Sequence, residues 1–229
     1  MKKAQMADMF DHIAPRYDFL NSLLSFGIHR SWRKKAIRLL EKENPQSILD
    51  IATGTADFAI EALTLHPKKV VGIDISEGML RLGREKLKKK RLENSIQLLP
   101  GDSENLPFDA HSFDAVTVAF GVRNFENLEK GLSAIFGVLK PGGSLVVLEF
   151  STPRNAFVKG IYHFYFHRVT PFVGRLFSKD MAAYTYLPES VSAFPDGDRF
   201  VSILQQNGFS GISCYRLTLG IATIYMGKK

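Results

Sequence analysis

Cysteine is almost missing from this chain: Cys214 is the only one in 229 residues. A single thiol excludes an intramolecular disulfide and any multi-cysteine metal site, which fits a reducing, cytoplasmic setting. The six histidines are scattered without metal-ligand spacing, so no metal is expected. No uninterrupted apolar run is long enough to span a bilayer, and the first six residues lack the apolar core of a secretory signal. The expectation is therefore a cytoplasmic protein, peripheral at most at the inner face of a membrane. Acidic residues are in short supply: 23 Asp and Glu face 30 Lys and Arg, giving a net charge of +7. That balance admits nucleic acid or anionic lipid as a partner. RNA-recognition signatures, zinc-finger spacings and basic-zipper heptads are absent, however. Part of the excess sits in Arg84 to Arg91, which reads as the solvated end of a helix.

What is present begins with Ser47-Ile48-Leu49-Asp50-Ile51-Ala52-Thr53-Gly54-Thr55-Ala56-Asp57. A strand ends in an acid, turns through small residues and enters a helix. A second apolar run, Val70 to Ile73, ends in Asp74. An acid about 20 positions past such a turn places a carboxylate on ribose hydroxyls in doubly wound α/β domains. The glycines of G-x-G-x-x-G, which bring a backbone close to a pyrophosphate, are lacking. Gly54 stands alone between Ala52 and Ala56, and Asp50 would repel phosphate. This argues against a nicotinamide oxidoreductase and suits a nucleoside carrying positive charge, the amino group and sulfonium of S-adenosylmethionine. An ordinary βαβ turn without a ligand is the bland alternative.

The alternation continues down the chain. Ser76 can cap a helix over Met79 to Lys90, with cations in its last turn. Ile96 to Leu99 and Phe113 to Phe120 read as strands, Leu128 to Leu139 as a helix stopped by Lys140-Pro141-Gly142-Gly143, and Ser144 to Phe150 as a fifth strand. Asp198 to Gln206 is a helix, and Ile212 to Leu217 with Ile221 to Met226 can pair as a hairpin. Strands alternating with helices imply a largely parallel sheet covered on both faces. The expected arrangement is one α/β domain over 1–229, with a helical cover over 1–40 and an insertion over 151–195. Both extras would lie over the carboxyl ends of the strands.

In that frame Asp50, Gly54 and Thr55 would hold the methionine part of the donor, Asp74 the ribose, and Asp102 with Ser103 the adenine. The ordered set resembles the Rossmann-like class I S-adenosylmethionine-dependent methyltransferases, which have a seven-stranded, mostly parallel sheet with a reversed C-terminal hairpin. The resemblance then narrows. Residues 17–32 (YDFLNSLLSFGIHRSW), Phe120-Gly121-Val122-Arg123-Asn124, Leu148-Glu149-Phe150-Ser151, and Tyr184, Tyr186, Leu187, Ser190 and Val191 are similar to signatures of the quinone-ring C-methyltransferases of menaquinone and ubiquinone synthesis. Three positions depart from that pattern. Ala56 replaces a glycine, Ala119 stands where some members carry a serine that touches the cofactor, and Tyr225 replaces a histidine.

The resemblance implies methylation of a ring carbon of a polyprenylated hydroquinone. The expected substrate is demethylmenaquinol in the last step of menaquinone formation, with the benzoquinol of the ubiquinone route as the alternative. A lipid- or RNA-binding module on the same fold is the non-enzymatic rival. Arg123 and Asn124 are the candidates for stabilising the quinolate, with Glu126 or Glu129 as ordinary salt-bridge partners for Arg123 otherwise. Tyr17 and His29 are candidates for hydrogen-bonding the other quinol oxygen or accepting a proton. Alternatively, His29 caps a helix or binds a carboxylate inside the cover. Between Glu149 and Asp180 no acid occurs, while cations (Arg154, Lys159, Arg168, Arg175, Lys179) interleave with aromatics (Phe157, Tyr162, Phe164, Tyr165, Phe166, Phe172, Phe177). That composition suits contact with anionic lipid, or simple packing on the sheet.

Overall fold

The computed structural model describes residues 3–165, 168 and 182–229. Its sheet is built from β1 (Ser47–Ile51), β2 (Lys69–Asp74), β3 (Ile96–Pro100), β4 (Phe113–Ala119), β5 (Leu139–Phe150), β6 (Ser210–Leu217) and β7 (Ala222–Lys228). Their order is β3-β2-β1-β4-β5-β7-β6. Neighbours from β3 to β5 pair in parallel, and β7 is antiparallel to both β5 and β6. Six strands thus run one way and β7 runs back. The order reverses between β1 and β4, the switch point at which open α/β sheets leave a crevice beyond their strand ends.

Local chemistry explains the elements. Ile48, Leu49, Val70, Val71, Val146 and Val147 are all buried, because a central parallel strand is covered on both faces. Gly72, mid-strand in β2, has a physical reason: a Cβ there would lie 2.7 Å from Leu98 Cδ2 and 2.7 Å from Thr53 Oγ1. Helices α3 (Asp57–Ala62), α4 (Glu77–Lys90) and α5 (Leu128–Val138) form the crossovers. Ser76 caps α4 by accepting from Met79 N, and Lys88, Lys89 and Lys90 occupy its last turn, where cations offset the helix dipole. One core layer gathers Trp32, Ile37, Phe58 and Leu80, and the other Phe113, Leu132, Phe200 and Tyr225.

The helix expected to stop at Lys140 to Gly143 ends at Val138, but the strand expected from Ser144 starts earlier. β5 begins at Leu139, and the Pro-Gly-Gly segment is absorbed as a register shift between the Phe113–Leu139 and Ala115–Ser144 pairs. The Gly142 N–H reaches the Lys229 carbonyl at 3.0 Å, so the C-terminal strand supplies the missing pairing.

The N-terminal cover is α1 (Lys3–Leu24) and α2 (Ile28–Arg38). The insertion contributes α6 (Ala156–Phe164) and α7 (Ala182–Ala193), followed by α8 (Asp198–Gln206). Tyr162 of α6 and Val191 of α7 pack around Phe150 at the end of β5. Phe166, Phe172, Arg175, Phe177 and Lys179 lie outside the described residues. Among the described residues, no helix is long and apolar enough to cross a membrane. Tyr225 serves the fold, since its hydroxyl accepts from Gly197 N at 2.7 Å and fixes the start of α8.

Candidate active site

The turn after β1 uses left-handed backbone at alternate positions: Ala52 (φ 54°), Gly54 (φ 55°) and Ala56 (φ 67°). Two alanines hold a conformation that favours glycine, at a cost on the order of 1–2 kcal/mol each. A Cβ on Gly121 would sit 2.6 Å from Ala52 Cβ, so the β4 loop closes on this turn only through glycine. A Cβ on Gly54 would meet open space, because that residue faces a cavity.

The cavity lies beyond the carboxyl ends of the central strands, where open α/β sheets take their ligands. Gly54, Asp74, Asp102, Ser103, Ala119 and Phe120 line its strand-end side, and Met6, Phe10 and Tyr17 of α1 close it from above. Asp74 accepts from Gly54 N (2.8 Å) and Ser76 N (2.9 Å), one on each carboxylate oxygen. Burial pushes its pKa upward. A carboxylate offers about four lone-pair sites, which leaves two for a ligand. Burial alone would raise the Asp102 carboxyl, but Lys3 (2.7 Å) and the Glu104 N–H (2.9 Å) hold it below the usual range.

Asp50 lies beneath the turn and does not line the cavity. Its two oxygens accept from Thr53 Oγ1 (2.6 Å) and Thr117 Oγ1 (2.7 Å), and burial lifts its pKa to about 6. The structure thus places Asp50 under the turn, away from the cavity wall, where it ties Thr53 to Thr117 of β4. Thr55 also stands away from the cavity wall. Its hydroxyl donates to Asp18 (2.7 Å) and accepts from Lys86 (2.8 Å), outside the cavity. Lys86 continues to Asp18 (2.6 Å) and Asp57 (2.7 Å), and Arg33 meets Asp57 at 2.8 Å. These contacts clasp both cover helices onto α3 and α4.

Tyr17 lines the cavity; burial raises its pKa, against a hydrogen bond with Asn21 and the nearby Arg123 that lower it. His29 does not line it. Ser25 Oγ lies 2.6 Å from the Asn21 carbonyl and 2.5 Å from His29 Nδ1. A carbonyl can only accept, so the single hydroxyl proton goes to Asn21 and His29 donates from Nδ1. Burial, then the nearby Arg33, pull its pKa down to about 4. His29 is thus a neutral, buried member of the cover, away from the cavity wall, and the structure gives it no catalytic position.

Arg123 and Asn124 sit on a single turn after β4. Arg123 Nη1 donates to Glu149 Oε1 (2.7 Å) and to the Phe120 carbonyl (2.6 Å), so neither Glu126 nor Glu129 is its partner. Its Nε is buried with no acceptor among the described residues. Tyr186 of α7 donates to Asn124 Oδ1 at 2.9 Å, which turns the amide NH₂ the other way. Arg123, Tyr186 and Gln5 line a second cavity that shares Met6, Asn124, Phe125 and Glu126 with the first. The two cavities adjoin across Asn124.

Glu149 and Tyr186 hold the candidate residues Arg123 and Asn124 in place, contacts that the sequence reading did not assign. The available signal was an acid inside the apolar strand Leu145-Val146-Val147-Leu148-Glu149, since a fully buried Glu demands a partner. Among the described residues, no cluster of three or more His, Cys, Asp or Glu gathers to hold a metal.

The sequence profile of the ubiE/COQ5 methyltransferase family matches residues 1–229. The chain belongs to this family. A demethylmenaquinone methyltransferase of Bacteroides fragilis is 50% identical over 229 residues, covering 100% of this chain and 94% of the relative. The ubiquinone/menaquinone biosynthesis C-methyltransferase UbiE of Geotalea daltonii is 47% identical over 230 residues, covering 100% and 97%. Among solved structures, a SAM-dependent methyltransferase of Thermotoga maritima superposes with a TM-score of 0.68 at 19% identity, covering 97% of this chain and 99% of that one. That likeness shows the fold: the seven-stranded class I methyltransferase sheet is common to both. In this ubiE/COQ5 family member the departures at Ala56, Ala119 and Tyr225 are accommodated by left-handed backbone, by a place in the cavity wall and by the Gly197 bond respectively.

Proposed function

We propose that this methyltransferase methylates a ring carbon of demethylmenaquinol, completing menaquinone, with S-adenosylmethionine as donor. The observation that carries the reading is the meeting of two cavities at Asn124, one lined by Asp74 and one by Arg123. The names of the Bacteroides and Geotalea relatives support the substrate class, and the latter name also spans the benzoquinol of the ubiquinone route.

The residues present fit the donor. Gly54 leaves open space where any side chain would intrude, Asp74 retains acceptor capacity for ribose, and Ile75, Met79 and Phe10 offer apolar faces to a base. Asp102 and Ser103 stand at the end of β3 for the adenine edge. When bound, S-adenosylmethionine supplies an electrophilic methyl group on a sulfonium. The quinol ring, losing a hydroxyl proton, pushes its electron pair onto the adjacent carbon; the new C–C bond forms as the C–S bond breaks, and the ring proton then leaves. The chain's share is alignment, for which orientation contributes roughly 7–11 kcal/mol, and stabilisation of the quinolate oxygen by fixed donors. Arg123, too basic to take the proton itself, has its Nε–H without an acceptor among the described residues, and Asn124 presents its amide NH₂. Tyr17, reaching in from α1, supplies a neutral hydroxyl to the second quinol oxygen.

A polyprenyl substrate resides in a bilayer. Phe157, Ile161 and Phe164 of α6, spaced for one helical face, are 76%, 56% and 66% exposed, which supports contact of that face with lipid. Calorimetric titration tests the cofactor assignment. S-adenosylhomocysteine binds and NADH does not; absence of S-adenosylhomocysteine binding overturns the reading.

A further inference from the structure

The junction of α1 and α2 is built at a double cost. Phe26 is 84% exposed, and its φ is 50°. Bulky residues rarely adopt this left-handed backbone, because the Cβ crowds the following carbonyl. An exposed ring offsets none of that crowding through burial. Leu23, one turn earlier, is 38% exposed, and Ile28, the first residue of α2, is 41% exposed. The apolar residues therefore cap a hairpin tip that packing within the chain does not require.

Behind the tip the charge has one sign. Helix α2 reads IHRSWRKKAIR and contains no acid. Arg30, Lys34 and Arg38 are exposed, and a spacing of four puts them on one face. An apolar tip followed by a cationic stripe is the pairing by which amphipathic elements enter an anionic lipid surface: the apolar groups insert and the cations meet headgroups.

Two further observations choose the bilayer over a second protein. The tip belongs to the same helix whose Met6, Phe10 and Tyr17 wall the cofactor cavity, so docking there brings the site to the lipid in which a prenylated quinol resides. Trp32 of α2 also packs on Phe150, at 6.3 Å between ring centroids, and Tyr162 of α6 packs on the same residue. The tip and the exposed face of α6 thus flank one strand end.

We propose that the α1–α2 hairpin is a docking surface for an anionic bilayer, with Phe26, Leu23 and Ile28 inserting and Arg30, Lys34 and Arg38 contacting headgroups. The proposal rests on the quinol reading above, and its test separates the two. The full chain is sedimented with vesicles of phosphatidylcholine containing phosphatidylglycerol, and with vesicles of phosphatidylcholine alone. Two variants accompany it, Leu23→Gln/Phe26→Asn and Lys34→Gln/Arg38→Gln. Asparagine tolerates left-handed backbone, so the first variant folds at least as well as the parent. The tip variant lowers partitioning by about tenfold or more, and the charge variant lowers it several-fold on the anionic vesicles only. Both keep the parent rate of methyl transfer to a short-tail, water-soluble demethylmenaquinol. Loss of that activity in the parent itself refutes the reaction while leaving the vesicle result standing. Unchanged partitioning of the tip variant overturns the docking surface. So does a parent dimer that becomes monomeric in that variant, which would make a second copy the occupant.

Discussion

Arg123 and Glu149 meet Nη1 to Oε1 at 2.7 Å, with side chains 7% and 0% exposed. The pair joins the loop after β4 to the last turn of β5, and the guanidinium also lies 5.5 Å from the Phe150 ring centroid. Burial raises the Glu149 pKa while the arginine opposes it. The arrangement leaves the arginine's Nε–H directed away from its protein partners.

Removing one member of this pair strands the other. Arg123→Ala is expected to lose about 3–5 kcal/mol of stability, because an unpaired carboxylate remains buried. Arg123→Met/Glu149→Gln removes both charges and loses much less. Both variants lose methyl transfer, since the anion-stabilising donor is gone. Urea unfolding alongside turnover checks this; equal destabilisation by the single and double changes contradicts it.

Asp74→Asn keeps the shape of the residue and removes its charge. Charged hydrogen bonds contribute about 1.5–3 kcal/mol, so the S-adenosylhomocysteine dissociation constant should rise by about tenfold to a hundredfold. Titration calorimetry reads the change. An unaltered constant would place the ribose elsewhere.

Asp11 of α1 accepts from Ser76 Oγ (2.5 Å) and Gly78 N (2.8 Å), fastening the cover to the start of α4. Asp11→Ala removes this fastening of the cover and should speed release of S-adenosylhomocysteine several-fold, with little effect on global stability because Asp11 itself is exposed. Surface plasmon resonance gives the dissociation rate. No change would show that α1 does not gate release.

His29 makes a signed prediction about pH. Its pKa is about 4 when folded against a usual 6.5. Between those values the unfolded chain binds a proton that the folded chain refuses, so stability falls as pH drops from 6.5 toward 4. His29→Gln should flatten that fall, and turnover at neutral pH should persist. Thermal unfolding of both proteins across this window, with a turnover assay, tests each half. An identical pH dependence contradicts the burial argument, and lost turnover contradicts the non-catalytic placement.

What could be read before folding followed from short-range rules. Ser76 announced its helix because a cap acts within one turn. Asp50, Asp74 and Asp102 marked strand ends to within two residues, because a buried acid needs hydrogen-bond donors that the turn at a strand end supplies. The bond from Arg123 to Glu149 spans 26 residues and that from Lys3 to Asp102 spans 99, distances over which spacing carries no signal. His29 misled for a related reason: its ordinary pKa suggests a base, but burial among arginines from its own helix decides its charge. Pro141-Gly142-Gly143 did stop the helix, but the early start of β5 at Leu139 was not legible, because the carbonyl that pairs with Gly142 comes from Lys229 at the far end of the sequence.

The account stands most directly on methyl transfer to a short-tail demethylmenaquinol, followed as S-adenosylhomocysteine and methylated quinone, with and without a reductant. Product forms with the reduced ring and not with the oxidised quinone. Equal product from the oxidised ring, or none from the reduced one, contradicts it.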